Sequence, residues 1–100
     1  MAPLPIRYRL ACANELDEAT KWYSQYGQAL ANQFRQIVRD KITEARRFPR
    51  HWPAQSDGTR HIYLAPFPYV LVVRVFKGFL EVIALAHTSR QPGYWRDRLR

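Results

Sequence analysis

The segment from residue 69 to residue 86 constrains the fold of this chain more than any other. Two runs rich in β-branched and aromatic residues, 69–76 and 79–86, flank the dipeptide Lys77-Gly78. A two-residue turn of this kind closes an antiparallel hairpin and fixes the register of both strands. The expected cross-strand pairs are Phe76 with Phe79, Arg74 with Glu81, Val72 with Ile83, and Val70 with Leu85.

This register predicts one wholly apolar face and one mixed face for the hairpin. The apolar face comprises Leu71, Val73, Val75, Leu80, Val82, Ala84 and Ala86. Such a face must be buried, so we expect helices to pack on it. The mixed face carries Arg74, Glu81 and, at the strand end, His87, and functional residues are expected there. Arg74 either pairs with Glu81 across the strands or binds an anion.

The residues before the hairpin predict a strand, two helices and a further strand. Residues 6–11 alternate between apolar and polar, which indicates a half-buried strand. Asn14 stands as the N-cap of a first helix, with Glu15, Asp17 and Glu18 in its first turn and Gly27 as its stop. A second helix is expected over 29–47, antiparallel to the first because their join is short. A loop then leads to a strand over 60–65.

Charge and cysteine content narrow the possible functions. The chain has 16 Lys and Arg against 8 Asp and Glu, a net charge of +8, which favours a polyanion or an acidic protein as partner.

Its apolar runs are shorter than the ~20 residues of a membrane span, and MAPLPIRYRL lacks the apolar core of a signal peptide. The single cysteine, Cys12, rules out an internal disulfide framework and a multi-cysteine zinc site, and is expected to be buried. We therefore expect a cytoplasmic protein with no metal, cofactor or membrane partner. His51 and His61 have no partner at metal-ligand spacing and receive no role.

The segment 87–98 is the densest in chemically capable residues. It combines His87 with three arginines and two large aromatic residues, namely Arg90, Arg96, Arg98, Tyr94 and Trp95. In one interpretation the arginines bind phosphates or carboxylates, and His87 or Tyr94 transfers protons or stacks on a base. In the other, Tyr94 and Trp95 close the core, His87 bonds to backbone, and Arg98 pairs with Asp97 or solvent.

Several of these segments together resemble the RelE/ParE superfamily of bacterial toxins. The resemblance covers nearly the whole chain, and the ending His-x-x-Arg-x-Pro-x-Tyr-Trp-x-x-Arg over 87–98 is typical of the ParE-like branch. The other matching segments are Ala13-Asn14-Glu15-Leu16-Asp17-Glu18-Ala19 with Trp22-Tyr23, residues 34–42, Phe48-Pro49, Arg60 and Leu64-Ala65-Pro66-Phe67-Pro68-Tyr69. The resemblance implies one α+β domain over 1–100, in which a helical hairpin packs on a small, mainly antiparallel twisted sheet in the order β-α-α-β-β-β.

The resemblance also implies the toxin of a type II toxin–antitoxin system, neutralised by an acidic, partly disordered antitoxin. ParE-like members poison DNA gyrase without chemistry of their own, which makes Arg90, Tyr94, Trp95, Arg96 and Arg98 the candidate target-binding residues. RelE-like members are metal-free endoribonucleases that cut mRNA on the ribosome, and the residues that could match such a site are Arg74, His87, Arg90 and Tyr94. Gyrase is the favoured target because lysines typical of the RelE site are missing. A non-toxic member that only binds an antitoxin is the third alternative.

Overall fold

The secondary structure follows the predicted order β-α-α-β-β-β. In the computed structural model, which describes residues 2–100, the elements are β1 (Ile6–Tyr8), α1 (Leu10–Ser24), α2 (Gln28–Arg47), β2 (Arg60–Tyr63), β3 (Tyr69–Phe76) and β4 (Phe79–His87). Short 3-10 turns cover Pro49–His51 and Arg96–Leu99. The strands form one sheet in the order β1-β4-β3-β2, in which β1 runs parallel to β4 and the other neighbours are antiparallel. The predicted α+β class and mainly antiparallel sheet are confirmed.

The hairpin turn at Lys77-Gly78 is confirmed. Lys77 has φ 52° and Gly78 has φ 82°, so both turn residues adopt the left-handed conformation that two-residue hairpin turns of type I′ require. Next to the turn, Phe76 lies opposite Phe79 and Arg74 opposite Glu81, as predicted.

Farther from the turn the predicted register is wrong. An irregularity between Val72 and Val73 adds one residue to β4, so Val72 pairs with Ala84 and Val70 with Ala86. A β-bulge of this kind leaves no trace in the apolar pattern here, because both faces of β4 are apolar at this point.

The bulge changes which residues lie on each face. Leu71, Val73, Leu80 and Val82 pack toward the helices as predicted, but Leu85 joins them in place of Ala84 and Ala86. His87 consequently lies on the helix side, opposite Tyr69 and with its ring 5.2 Å from the Tyr69 ring, and not on the face of Arg74 and Glu81. Val75, at the strand end, is 43% exposed.

Helix α1 begins earlier than predicted. The first strand, predicted over 6–11, ends at Tyr8. Arg9 is the N-cap of α1, and its carbonyl accepts the first helical hydrogen bond from the Ala13 N–H. Asn14 and the acidic residues after it therefore lie within the helix and do not cap it. Helix α2 starts one residue before the predicted position and ends at Arg47 as predicted. Strand β2 ends two residues early because a turn closed by the Phe67 N–H and the Leu64 carbonyl follows it.

Two apolar layers hold the sheet. The larger lies between the helices and the sheet and includes Phe34, Ile42, Leu71 and Leu80. The second covers the face that was expected to be mixed: Val70, Val72, Ile83, Ala84 and Ala86 pack there with Trp95. Cys12 is buried, as predicted. Within residues 2–100, no helix is both long and apolar enough to cross a membrane.

Candidate target-binding site at the C-terminal tail

The C-terminal tail, residues 88–100, folds back over the second face of the sheet. Its anchor is Trp95, which is only 6% exposed and packs on the apolar side chains of β3 and β4. Tyr94 and Leu99 flank this anchor and pack against the same layer. Burial of a tryptophan and its neighbours on an apolar sheet face is sufficient to hold a short segment that has little regular structure.

A carboxylate from α1 clamps the tail. Glu15 accepts hydrogen bonds from the Tyr94 hydroxyl at 2.6 Å and from both terminal nitrogens of Arg98 at 2.9 and 3.1 Å. It also accepts the Leu85 backbone N–H at 3.1 Å, and Arg98 donates in addition to the Ile83 carbonyl at 3.1 Å. We call Glu15, Tyr94 and Arg98 the tail clamp. Bidentate pairing of an arginine with a carboxylate fixes orientation as well as distance, so the clamp sets where the tail lies.

Burial and contact with Glu15 shift the pKa values of three groups in and beside the clamp. Burial, and then the hydrogen bond to Glu15, raise the pKa of the Tyr94 phenol above its usual value. The hydrogen bond to Glu15 likewise raises the pKa of Arg98. Burial, with the nearby Glu15 charge, raises the pKa of the Cys12 thiol to about 12. These shifts reinforce the protonation states that a phenol, a thiol and a guanidinium already have at physiological pH.

A second ion pair holds the end of the tail. The Arg74 Nε donates to Glu81 at 2.7 Å, which is the predicted cross-strand pair, and its Nη1 donates to the Leu99 carbonyl at 3.1 Å. Both side chains are largely buried, at 12% and 6% exposed. Arg74 is thus occupied as a structural residue.

Three of the tail arginines, Arg90, Arg96 and Arg100, are exposed, and the first two are candidate target-binding residues. The Arg90 guanidinium stacks on the Tyr94 ring at 3.8 Å and lies 3.5 Å from Glu15, but its side chain is 55% exposed. The Arg96 side chain is 68% exposed, with its Nε 3.9 Å from Asp57. These side chains present positive charge on a tail that Trp95 and the tail clamp anchor to the domain.

The structure brings together only part of the residue set that a ribonuclease would need. Arg90 and Tyr94 are in contact. His87 pairs with Tyr69, and Arg74 lies five positions farther along β3. At the usual rise of a strand, this separation is about 17 Å. Arg74 and His87 also lie on opposite faces of the sheet. Arg74 is therefore separate from the other three residues, whereas His87 and Arg90 line one cavity and Arg90 stacks on Tyr94.

Some of the contacts expected in the structural interpretation of the tail residues are formed. Trp95 closes a core, and His87 Nδ1 accepts the Ser89 backbone N–H at 3.1 Å, as the structural interpretation predicts. The pairing of Arg98 with Asp97 or solvent, expected in the structural interpretation, is wrong. Arg98 binds Glu15, and Asp97 lies 3.6 Å from Arg100.

Sequence reasoning missed two residues of this site. Glu15 was assigned only to the first turn of α1. It lies three residues after buried Cys12 and four before buried Ala19, so its place on the buried stripe was the available signal. His61, to which no role was given, lies with its ring 5.5 Å from the Trp95 ring, and burial lowers its pKa. Nothing near His61 in the sequence indicates this contact. Among residues 2–100, no three His, Cys, Asp or Glu side chains are grouped so that they could hold a metal ion.

Comparison with known proteins identifies the family. The family model described as "ParE toxin of type II toxin-antitoxin system, parDE" matches residues 6–92. No curated protein matches the chain in sequence. Among solved structures, one described as "Chromosomal ParDE TA system from P. aeruginosa" has a similar fold, with a TM-score of 0.72 at 16% identity over 84% of this chain and 95% of that chain. With most of its length matched, this chain belongs to the ParE toxin family of type II toxin–antitoxin systems.

Proposed function

We propose that this toxin inhibits DNA gyrase in the cytoplasm by binding it, without chemistry of its own, until an antitoxin neutralises the toxin. The observation that carries the proposal is the tail: an anchored segment on which two of the candidate target-binding residues, Arg90 and Arg96, are exposed. A toxin that traps an enzyme–DNA complex needs a fixed binding surface. The family supports the choice of target, since gyrase is the target of ParE-like toxins.

The state of Tyr94 argues against a proton-transfer role. Its hydroxyl already donates to Glu15 at 2.6 Å, and its pKa is raised above the usual value of a phenol. A general acid or base works best when its pKa lies near the working pH. Tyr94 is better suited to support Arg90, which stacks on its ring.

The five candidate target-binding residues therefore divide into two roles in this proposal. Arg90 and Arg96 contact the target directly. Tyr94, Trp95 and Arg98 are positioning residues, because they are engaged in the tail clamp or buried in the second apolar layer.

The antitoxin partner is expected to bring negative charge. The toxin has a net charge of +8, and opposite potentials accelerate the encounter of two proteins. An acidic, partly disordered segment that folds on binding fits this requirement.

A plasmid cleavage assay tests the proposal. Purified, antitoxin-free toxin is incubated with bacterial gyrase, ATP and supercoiled plasmid, and protein-linked linear DNA is measured with controls lacking either protein. We expect linear DNA only when both proteins are present. In parallel, the same toxin is added to a translating system, and cuts in the mRNA are mapped. Ribosome-dependent cuts with normal gyrase cleavage and religation would overturn the gyrase target in favour of the ribonuclease. Growth unaffected by the intact toxin would instead support a member that only binds an antitoxin.

A further inference from the structure

A cleft lined by four arginines lies away from the tail, where α2 ends. Its volume is about 300 Å³, and Arg46, Arg47, Arg50 and Arg60 line it together with Ala2, Leu4, Pro49 and Val75. Arg46 and Arg47 come from the last turn of α2, Arg50 from the following 3-10 turn and Arg60 from the start of β2. We call this feature the arginine cleft.

Most of the hydrogen-bond donors of the arginine cleft are unused. Arg46 donates through Nε to the Leu4 carbonyl at 2.6 Å, and Arg60 donates through Nη1 to the Trp52 carbonyl at 2.5 Å. Each guanidinium carries five N–H donors, so these two bonds leave the greater part free. Arg47 and Arg50 are exposed, and no side-chain hydrogen bond or ion pair to the described residues engages them.

The charge of the cleft is not neutralised locally. Within residues 2–100, no aspartate or glutamate lines it. The nearest acid along α2, Glu44, lies beside other bases, 3.9 Å from Lys41 and 3.7 Å from His51. Four clustered guanidiniums without a carboxylate form a binding site for anionic oxygens.

An exposed aromatic ring adjoins the cleft. Phe48 is the C-cap residue after α2, with φ −133°, and is 63% exposed, although phenylalanine is usually buried. A second, open depression of about 540 Å³ is shared by Arg47, Phe48, Pro49, Arg50 and His51. Arg47 and Arg50 thus border both the cleft and the exposed ring.

We propose that the arginine cleft and Phe48 form a binding site for single-stranded nucleic acid. The guanidiniums bind successive phosphates, and an unpaired base stacks on the Phe48 ring. Single-stranded nucleic acid sites combine a basic groove with aromatic platforms, and the arginine cleft with Phe48 supplies both. The site lies apart from the tail, so it does not depend on which target the tail binds.

The test measures binding of the full-length protein to a fluorescein-labelled oligothymidine of about 12 nucleotides. Arg47→Gln/Arg50→Gln removes two charges from the cleft, and Arg35→Gln/Arg39→Gln removes the same charge from exposed positions elsewhere on α2. Phe48→Ala removes the platform without changing charge. Circular dichroism confirms folding of each variant, and Phe48→Ala alone carries the test if the cleft variant fails to fold. A thymidine–adenosine duplex of the same length and a polyglutamate are tested as competitors.

We expect the cleft variant to bind at least tenfold more weakly and the control variant to change by less than threefold. The slope of log affinity against log salt should fall by about 0.7 for each cleft arginine removed. Phe48→Ala should weaken binding about fivefold or more. The proposal is overturned if both double variants lose affinity equally, if Phe48→Ala binds normally, or if the duplex or polyglutamate competes better than the unlabelled single strand.

Discussion

Replacing Glu15 with alanine tests whether the tail clamp holds the C-terminal tail. The substitution removes the acceptor of the Tyr94 hydroxyl, of two Arg98 N–H groups and of the Leu85 amide. The pair is largely buried, with 13% of the Glu15 side chain and 20% of the Arg98 side chain exposed. Loss of one partner from a buried ion pair costs about 3–5 kcal/mol of unfolding free energy. Because Arg98 keeps some contact with water, we expect the lower end of this range, about 3 kcal/mol.

Urea unfolding followed by tryptophan fluorescence measures this loss. With a denaturant slope near 1.5 kcal/mol per molar, the midpoint of Glu15→Ala should fall by roughly 2 M. Glu18→Ala is the matched control, because Glu18 is exposed on the same helix and makes no ion pair with the described residues. A change within about 0.5 kcal/mol is expected for this control. The reasoning is refuted if Glu15→Ala and Glu18→Ala unfold at the same urea concentration.

Three further predictions concern the second ion pair, the buried thiol and the antitoxin. Arg74→Leu leaves buried Glu81 unpaired and should lower the free energy of unfolding in urea by about 3 kcal/mol. Arg74→Leu/Glu81→Leu should lower it less, and a double variant no more stable than the single variant would contradict this prediction. Because burial raises the pKa of Cys12 from 9.0 to about 12, iodoacetamide should label the native protein at pH 8 far more slowly than the urea-unfolded protein, and equal rates would refute it. The raised pKa of Cys12 also contributes free energy of unfolding that is complete below pH 9 and is lost as the pH rises toward about 12, because the unfolded thiol loses its proton first. Antitoxin affinity should decrease with ionic strength, and an affinity unchanged between low and high salt would exclude the electrostatic contribution.

Local patterns were sufficient to predict most of the fold. The turn at Lys77-Gly78, the bounds of β3 and the end of α2 all depend on neighbouring residues, and the structure confirms them. The start of α1 was wrong because Asn14 is a good cap by residue type, while the chain enters the helix at Leu10. A strong local preference does not determine a helix start when tertiary packing already requires the earlier turn.

The candidate site was less accessible to sequence reasoning because its contacts are long-range. The tail arginines and aromatic residues were recognised, but their partner Glu15 lies about eighty positions away, and no local pattern connects it to Tyr94 or Arg98. The bulge in β4 likewise has no local pattern in the sequence, and it places His87 on the helix side. One extra residue in an apolar strand changes the faces beyond it without changing the composition.

The amount of gyrase-dependent, protein-linked linear DNA is the measurement that tests the proposed mechanism most directly. The native toxin should accumulate it, and Arg90→Ala/Arg96→Ala should lose most of this activity because these two candidate target-binding residues are exposed on the tail. Arg35→Ala/Arg39→Ala removes the same charge from α2 and should retain the activity. Absence of linear DNA with the native toxin would contradict gyrase inhibition, and equal activity of the two double variants would contradict a target-binding role for the tail.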